Sequence, residues 1–167
     1  MDLRKNILTE HSRANCDNIV DWVGNNKKRF DELLNLFYEG QYRLTQRAAW
    51  PISVCVEKNP ALADGKISFL IKQLDKEGQH VAVKRNILRI VNSVLIPKEL
   101  EGDVMQRCFD YLNSNDEPVA VKAFSLHILY TLSRKYPEII PEINMLISDQ
   151  LIHQTAAFRS AGEKFLN

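Results

Sequence analysis

The side chains that could bind a metal or attack a substrate are few in this sequence and stand far apart. Histidine never occurs with the HxxxH or HExxH spacing that places two imidazoles on one face of a helix. The cysteines form no CxxC pair, and the chain has neither a glycine-rich phosphate loop nor a GxSxG motif. We therefore expect no metal, no cofactor and no enzymatic activity. The residues in question are His11, His80, His127, His153, Cys16, Cys55 and Cys108.

The cysteines are better explained as packing residues. Cys16 and Cys108 fall on the apolar faces of predicted helices, where a thiol behaves as a small hydrophobic group. Cys55 falls on a face that we expect to meet solvent, but no histidine is predicted beside it to activate the thiol. An odd set of widely spaced cysteines is typical of a protein kept reduced, so we expect a cytoplasmic location.

The composition is that of a globular protein without a strong electrostatic preference. Apolar residues make up 45% of the chain and charged residues 26%, which is enough apolar surface to build a core. The formal charge of +1 argues against a surface built entirely for nucleic acid or anionic lipid. The sequence has no apolar signal segment and no run long enough to span a bilayer, so we expect no membrane association.

Basic and apolar residues recur along the chain at a fixed distance. Lys84 and Lys122 lie 38 residues apart, and steps of 37 residues lead back to Arg47 and on to Arg159. This basic column is expected to be structural, with each stem packed and each head group bonded to a carbonyl or a carboxylate. A period of this length is typical of stacked repeats. Three residues before the basic column stand the apolar residues Leu44, Val81, Val119 and Ala156, and we expect the first three of them to form a row in the core.

Within each repeat the apolar spacing is helical, at i, i+3, i+4 and i+7. We predict one all-α domain over residues 1–167, in which each repeat is a pair of helices and no β-strand occurs. In the first pair, Phe30, Leu33, Leu34 and Phe37 follow this spacing. In the second pair, residues 61–76 are expected to form a single helix, and in the third pair a helix is expected over about 98–113. The expected units are an N-terminal helical cap over 1–24 and helix pairs over about 26–59, 60–96, 97–136 and 137–167.

The third repeat opens with a turn that resembles the HEAT repeat. The matching residues are Asp116, Pro118, Val121 and Lys122, and the other repeats match in part. Asp116 alone supplies the aspartate that the family places six residues before its basic residue. The resemblance covers about residues 26–167. It implies a HEAT-like solenoid, a right-handed α-α superhelix whose second helices line a concave face, but it indicates little about function. Our leading hypothesis is a non-enzymatic scaffold that binds a partner protein or peptide along that face.

The helical period indicates which side chains reach that concave face. Ala48 should reach solvent there, and Ile52 and Cys55 should form an apolar end near the first repeat. The remaining rows are basic and would suit an acidic peptide or a phosphate-bearing ligand. The alternative is a solvated face whose cations pair with nearby carboxylates. The predicted partner-binding residues are Arg85, Arg89, His127, Tyr130 and Lys164.

Two further functions are considered. Some HEAT-like bacterial proteins are similar to DNA-alkylation-repair glycosylases, which hold damaged DNA in a basic cleft with tryptophan and a carboxylate. The rows predicted here contain neither, because Trp50 shares its row with Ile87 and is expected to pack in the core. Nucleic acid is therefore the less favoured partner. The third alternative is a structural subunit that oligomerises through its terminal repeats.

Overall fold

The computed structural model describes the backbone of residues 1–151 and the side chains of residues 1–148. Over this part of the chain the structure is all-α, with no β-strand and with no helix both long and apolar enough to cross a membrane. The second helix of the fourth predicted pair lies outside the described residues. The helices are α1 (Leu3–Thr9), α2 (Arg13–Val23), α3 (Lys27–Tyr38), α4 (Tyr42–Lys58), α5 (Ile67–Lys72), α6 (Val81–Ser93), α7 (Lys98–Asn113), α8 (Val119–Ser133) and α9 (Ile140–Leu151).

By its internal contacts the chain divides into two compact units. The first unit, Met1–Leu95, contains α1 to α6, and the second begins at Ile96 and contains α7 to α9. Each unit has its own buried apolar residues and therefore a core of its own.

The first two helices begin and end at local sequence signals. The side chain of Asp2 accepts a hydrogen bond from the backbone N–H of Lys5, and Ser12 does the same for Asn15. Such caps satisfy backbone donors that have no partner within the helix. Gly24 ends α2 at φ +50°, a conformation that side chains with a Cβ rarely adopt. Two helices therefore occupy the N-terminal segment, as predicted.

The core of the first unit is built around α4, which packs against α1, α2, α3 and α6. Leu44, Ile52 and Val56 on this helix are each 1% exposed or less. Burying an aliphatic side chain of this size contributes about 1.5–3 kcal/mol. Pro51 lies inside α4 and is also buried, so it serves as an apolar core residue.

A buried polar pair joins α4 to α6. The hydroxyl of Ser53 lies 3.1 Å from Oδ1 of Asn86 and 2.8 Å from the carbonyl oxygen of Trp50. Nδ2 of Asn86 donates to the carbonyl oxygen of Ala82 at 2.8 Å. Ser53 and Asn86 are 0% and 2% exposed, and a buried polar group left without a partner costs about 1–3 kcal/mol. The pair therefore favours one register of α4 against α6.

That register differs from the one expected from the sequence. The helices α4 and α6 begin at Tyr42 and Val81, which lie 39 residues apart and not 37. At that spacing Leu44 matches Val83 and Ala48 matches Ile87, and all four are at most 1% exposed. Val81, which was expected in the core row with Leu44, is 42% exposed. Arg47, the first residue of the basic column, therefore does not occupy the position equivalent to Lys84.

The segment between α4 and α6 explains the different spacing. The single helix predicted over 61–76 is wrong, because this segment consists of the short α5 between two 3-10 turns, Pro60–Ala63 and Gln73–Asp75. Gly65 interrupts it at φ +72°, where a continuous helix cannot form. Because this connection is irregular, the spacing between equivalent residues of α4 and α6 departs from the period predicted from the sequence.

In the second unit, α8 packs against both α7 and α9. A buried carboxylate connects the first turn of α7 to the residues that follow α8. Glu101 is 7% exposed, and it accepts hydrogen bonds from Nζ of Lys135 at 2.6 and 2.8 Å and from the hydroxyl of Tyr136 at 2.6 Å. The hydrogen bond from Lys135, followed by that from Tyr136, holds the pKa of Glu101 below its ordinary value. This cluster is a structural ion pair.

Candidate partner-binding site

The loop between α1 and α2 is held from two sides. Nδ2 of Asn15 donates to the carbonyl oxygen of Glu10 at 2.8 Å. From α4, Nη1 of Arg47 donates to the carbonyl oxygen of Leu8 at 2.5 Å. These bonds satisfy carbonyls that the end of α1 leaves without helical partners. They also fix the position of His11, the residue that follows.

His11 lies among basic and aromatic side chains. Its ring meets the ring of Trp50 edge-on, with centroids 5.5 Å apart and an interplanar angle of 70°. Burial lowers the pKa of His11, and electrostatic interactions with Arg47, Arg85 and His80 lower it further. The charged groups that lower the pKa of His11 are thus all basic. We call these five residues the basic–aromatic surface.

His80 connects this surface to a cleft. Its Nδ1 accepts a hydrogen bond from the backbone N–H of Ala82 at 3.0 Å, which caps α6. The neutral ring therefore carries its proton on Nε2. The ring of Tyr42 meets that of His80 edge-on at 6.3 Å. Beside them, between the turns at Gly40 and Gly78, lies a cleft of about 140 Å³.

The basic residues of the first unit differ in how they are neutralised. Arg89 donates from Nε to Glu57 at 2.6 Å, with a second bond from Nη2, and Lys66 lies 2.9 Å from Asp31. Arg85 is exposed and has no carboxylate partner within the described residues. A free guanidinium beside other cations is open to an anionic ligand.

The two predicted site residues of the first unit therefore differ. Arg85 is exposed and available, as a binding role requires. Arg89 is half-buried and paired with Glu57, which is the arrangement expected of a solvated face. Arg85 is among the residues whose charge lowers the pKa of His11.

The other predicted site residues lie elsewhere in the chain. His127 and Tyr130 are on α8 in the second unit, where Tyr130 is 36% exposed and has the guanidinium of Arg134 at 5.2 Å from its ring centroid. Lys164 lies outside the described residues. A partner-binding site composed of all five predicted residues stays a prediction.

The apolar end predicted for this site is wrong. Ala48, Ile52 and Cys55 are 0%, 1% and 2% exposed, because the register of α4 turns them into the core. Burial raises the pKa of the Cys55 thiol to about 12. Cys16 and Cys108 are buried as predicted, and burial raises the pKa values of these thiols to about 11 and about 12.

The same register accounts for Trp50. The sequence placed it in the row of Ile87, inside the core, but its equivalent in α6 is Arg89, and the indole is only half-buried. Arg47 bonds to backbone carbonyls, as expected for the basic column. Lys122 is 2% exposed, and burial lowers its pKa, which also fits a structural role.

Four residues of the basic–aromatic surface were not predicted as a site. His11 lies in the N-terminal cap, outside the repeats, so no column contained it. His80 precedes Val81 at the place of a helix cap, and this spacing was its only sequence signal. Trp50 and Arg47 were visible in the sequence but were assigned to the core and to the basic column.

Comparison with known protein families gives a match over most of the chain. A sequence profile described as the HEAT repeat domain matches residues 3–166, which is nearly the whole chain. No curated protein and no solved structure matches. Within the described residues, no three histidine, cysteine or acidic side chains come together as metal ligands would.

Proposed function

Because the chain belongs to the HEAT repeat domain family, we propose that it is a non-enzymatic scaffold that binds an acidic segment of a partner protein. HEAT repeats generally mediate protein interactions, which is the coarse part of this function. The finer part of the proposal is that the acidic segment binds at the basic–aromatic surface. The observation that carries it is the exposed guanidinium of Arg85, which lies among other basic groups and has no carboxylate partner within the described residues.

Charge supports an anionic partner. Positive side chains held near one another repel, and a negative ligand removes that repulsion as it binds. Arginine also binds carboxylates through two parallel hydrogen bonds, which fixes the direction of the bound group. An acidic peptide segment provides both the charge and the geometry.

The residue types support a protein partner. Tryptophan, tyrosine and arginine are the side chains that most often dominate the binding energy of protein interfaces. Trp50 and Arg85 belong to the basic–aromatic surface, and Tyr42 borders it through His80. Two of these side chains, Arg85 and Tyr42, are exposed.

The proposal is tested by the affinity for a labelled oligoglutamate peptide, measured by fluorescence anisotropy. We expect Arg85→Glu to weaken binding about tenfold or more, because a hydrogen bond to a charged group contributes about 1.5–3 kcal/mol. Lys28→Glu is the matched control, since Lys28 is an exposed residue at the start of α3 and the change in net charge is the same. Equal affinities for the two variants would contradict the proposal.

Nucleic acid is the second candidate, and one observation favours it. Trp50 lies at the surface beside Arg47, and tryptophan and arginine are residue types on which bases stack and phosphates bind. Binding of labelled duplex DNA across a salt series tests this candidate, since contacts to phosphates make affinity fall steeply with salt. Weak binding that does not change with salt would remove it.

A further inference from the structure

We infer that the basic–aromatic surface binds a phosphorylated side chain of the partner, with Arg47 and Arg85 as the main ligands and His11 and His80 as further donors. The inference rests on the proposed function, because it names the chemical group that the acidic segment presents. It concerns a phosphoserine or phosphothreonine in a peptide.

Arg47 is already oriented for such a ligand. Its Nη1 bonds to the carbonyl oxygens of Leu8 and Ile7 at 2.5 and 3.3 Å, which leaves Nε and Nη2 as donors on the rest of the guanidinium. A side chain held in this way loses little conformational freedom when a ligand binds. The backbone of the N-terminal cap thus preorganises one of the two arginines.

The two histidines offer N–H groups without having to be charged. The cap that His80 forms on Ala82 occupies Nδ1, so Nε2 is the donor. His11 has a lowered pKa, so it is neutral near pH 7 and carries one N–H. Each ring therefore adds one donor to those of the two guanidinium groups.

The number of donors and the amount of charge fit a phosphate better than a carboxylate. A carboxylate carries one negative charge on two oxygens, whereas a phosphorylated side chain carries nearly two charges on three acceptor oxygens. Arg47, Arg85, His11 and His80 together present more donors than two oxygens can accept. A dianion also offsets the charges of both arginines, which a single carboxylate cannot do.

The test uses a degenerate library of phosphoserine-centred peptides, with matched libraries that carry serine or glutamate at the central position. Binding to the full-length protein is measured by fluorescence anisotropy. We expect the phosphoserine library to bind at least about tenfold more tightly than the serine library, with glutamate in between. Arg85→Gln should remove most of this preference, whereas Lys28→Gln should retain it. Arg85 is exposed, so its variant should fold, and a thermal melt by circular dichroism checks this.

The other outcomes distinguish a failure of this inference from a failure of the proposed function. Equal binding of the phosphoserine and glutamate libraries, both dependent on Arg85, would overturn the inference and leave the proposed function intact. Failure of all three libraries and of oligoglutamate to depend on Arg85 would overturn both. Duplex DNA that competes better than the phosphopeptides, again with dependence on Arg85, would assign the surface to nucleic acid and also overturn the inference.

Discussion

The Glu101 cluster of the second unit and the basic–aromatic surface of the first unit treat their charged residues differently. In the second unit, Glu101 is buried and takes hydrogen bonds from Lys135 and Tyr136, and Arg107 pairs with Asp103 on the same helix. These cations are engaged by carboxylates of their own unit. They stabilise the helices that carry them, and no ligand is needed to neutralise them.

In the first unit, the basic groups around His11 are not neutralised in this way. Arg47, Arg85 and His80 all lower the pKa of His11, and Arg85 has no carboxylate partner among the described residues. Holding like charges together reduces stability, and such costs are typical of functional sites. The contrast therefore points to the basic–aromatic surface, and not to paired cations such as Arg89, as the place where an anionic partner binds.

Some polar groups of the first unit have a structural role, and removing one of them should lower the free energy of unfolding. Asn86→Ala leaves Ser53 without its partner on α6 and opens space in the core, so we expect a loss of about 2–3 kcal/mol in the free energy of unfolding. Asn92→Ala, on the exposed side of the same helix, should change this free energy by less than about 0.5 kcal/mol. Urea unfolding followed by circular dichroism measures both, and equal effects would show that the buried pair contributes nothing.

The two arginines of the basic–aromatic surface should differ in how much they contribute to stability. Arg47→Ala removes the bonds to the end of α1, and we expect a loss of about 1–2 kcal/mol and faster amide exchange in that helix. Arg85→Ala removes an exposed cation that has no carboxylate partner among the described residues, so the unfolding free energy should change by less than about 0.5 kcal/mol. A loss from Arg85→Ala as large as that from Arg47→Ala would make Arg85 structural and remove the contrast between the units.

The smallest effect concerns the pH dependence of the second unit. The folded pKa of Glu101 is lowered, so its ion pair stabilises the fold at neutral pH, and this contribution is lost as the pH falls below the ordinary carboxyl value near 4.5. We expect Glu101→Gln to be less stable than the wild type at pH 7 and to lose less stability on acidification. Urea midpoints between about pH 7 and pH 3.5 measure this.

Glu99→Gln is the control for that experiment, because Glu99 is exposed in the same first turn of α7. It should follow the wild-type pH profile closely. If Glu101→Gln also follows the wild-type profile, Glu101 is not a structural ion pair, and the second unit does not use its charges as described.

Much of the fold could be predicted from the sequence. The helix expected over about 98–113 matches α7, because Pro97 starts it and a run of polar residues follows its end. The helix around Phe30 and Leu34 was equally clear from its apolar spacing. These elements depend on local patterns, which a sequence displays directly.

The candidate site could be predicted only in part. Arg85 was found because α6 has a regular helical pattern. Trp50 and Cys55 were placed on the wrong faces, because the turns around Gly65 change the distance between equivalent residues. His11 reaches the surface through hydrogen bonds made by Asn15 and Arg47, and such tertiary contacts leave no periodic signal.

Amide hydrogen exchange tests most directly which of the two units binds the partner. It is measured by mass spectrometry with and without saturating oligoglutamate or phosphoserine peptide. We predict that the bound peptide slows exchange in the loop around His11, in the first half of α4 and at the start of α6, and that Arg85→Glu abolishes this protection. Protection confined to α7 and α8, and unchanged in Arg85→Glu, would contradict our assignment of the binding surface to the first unit.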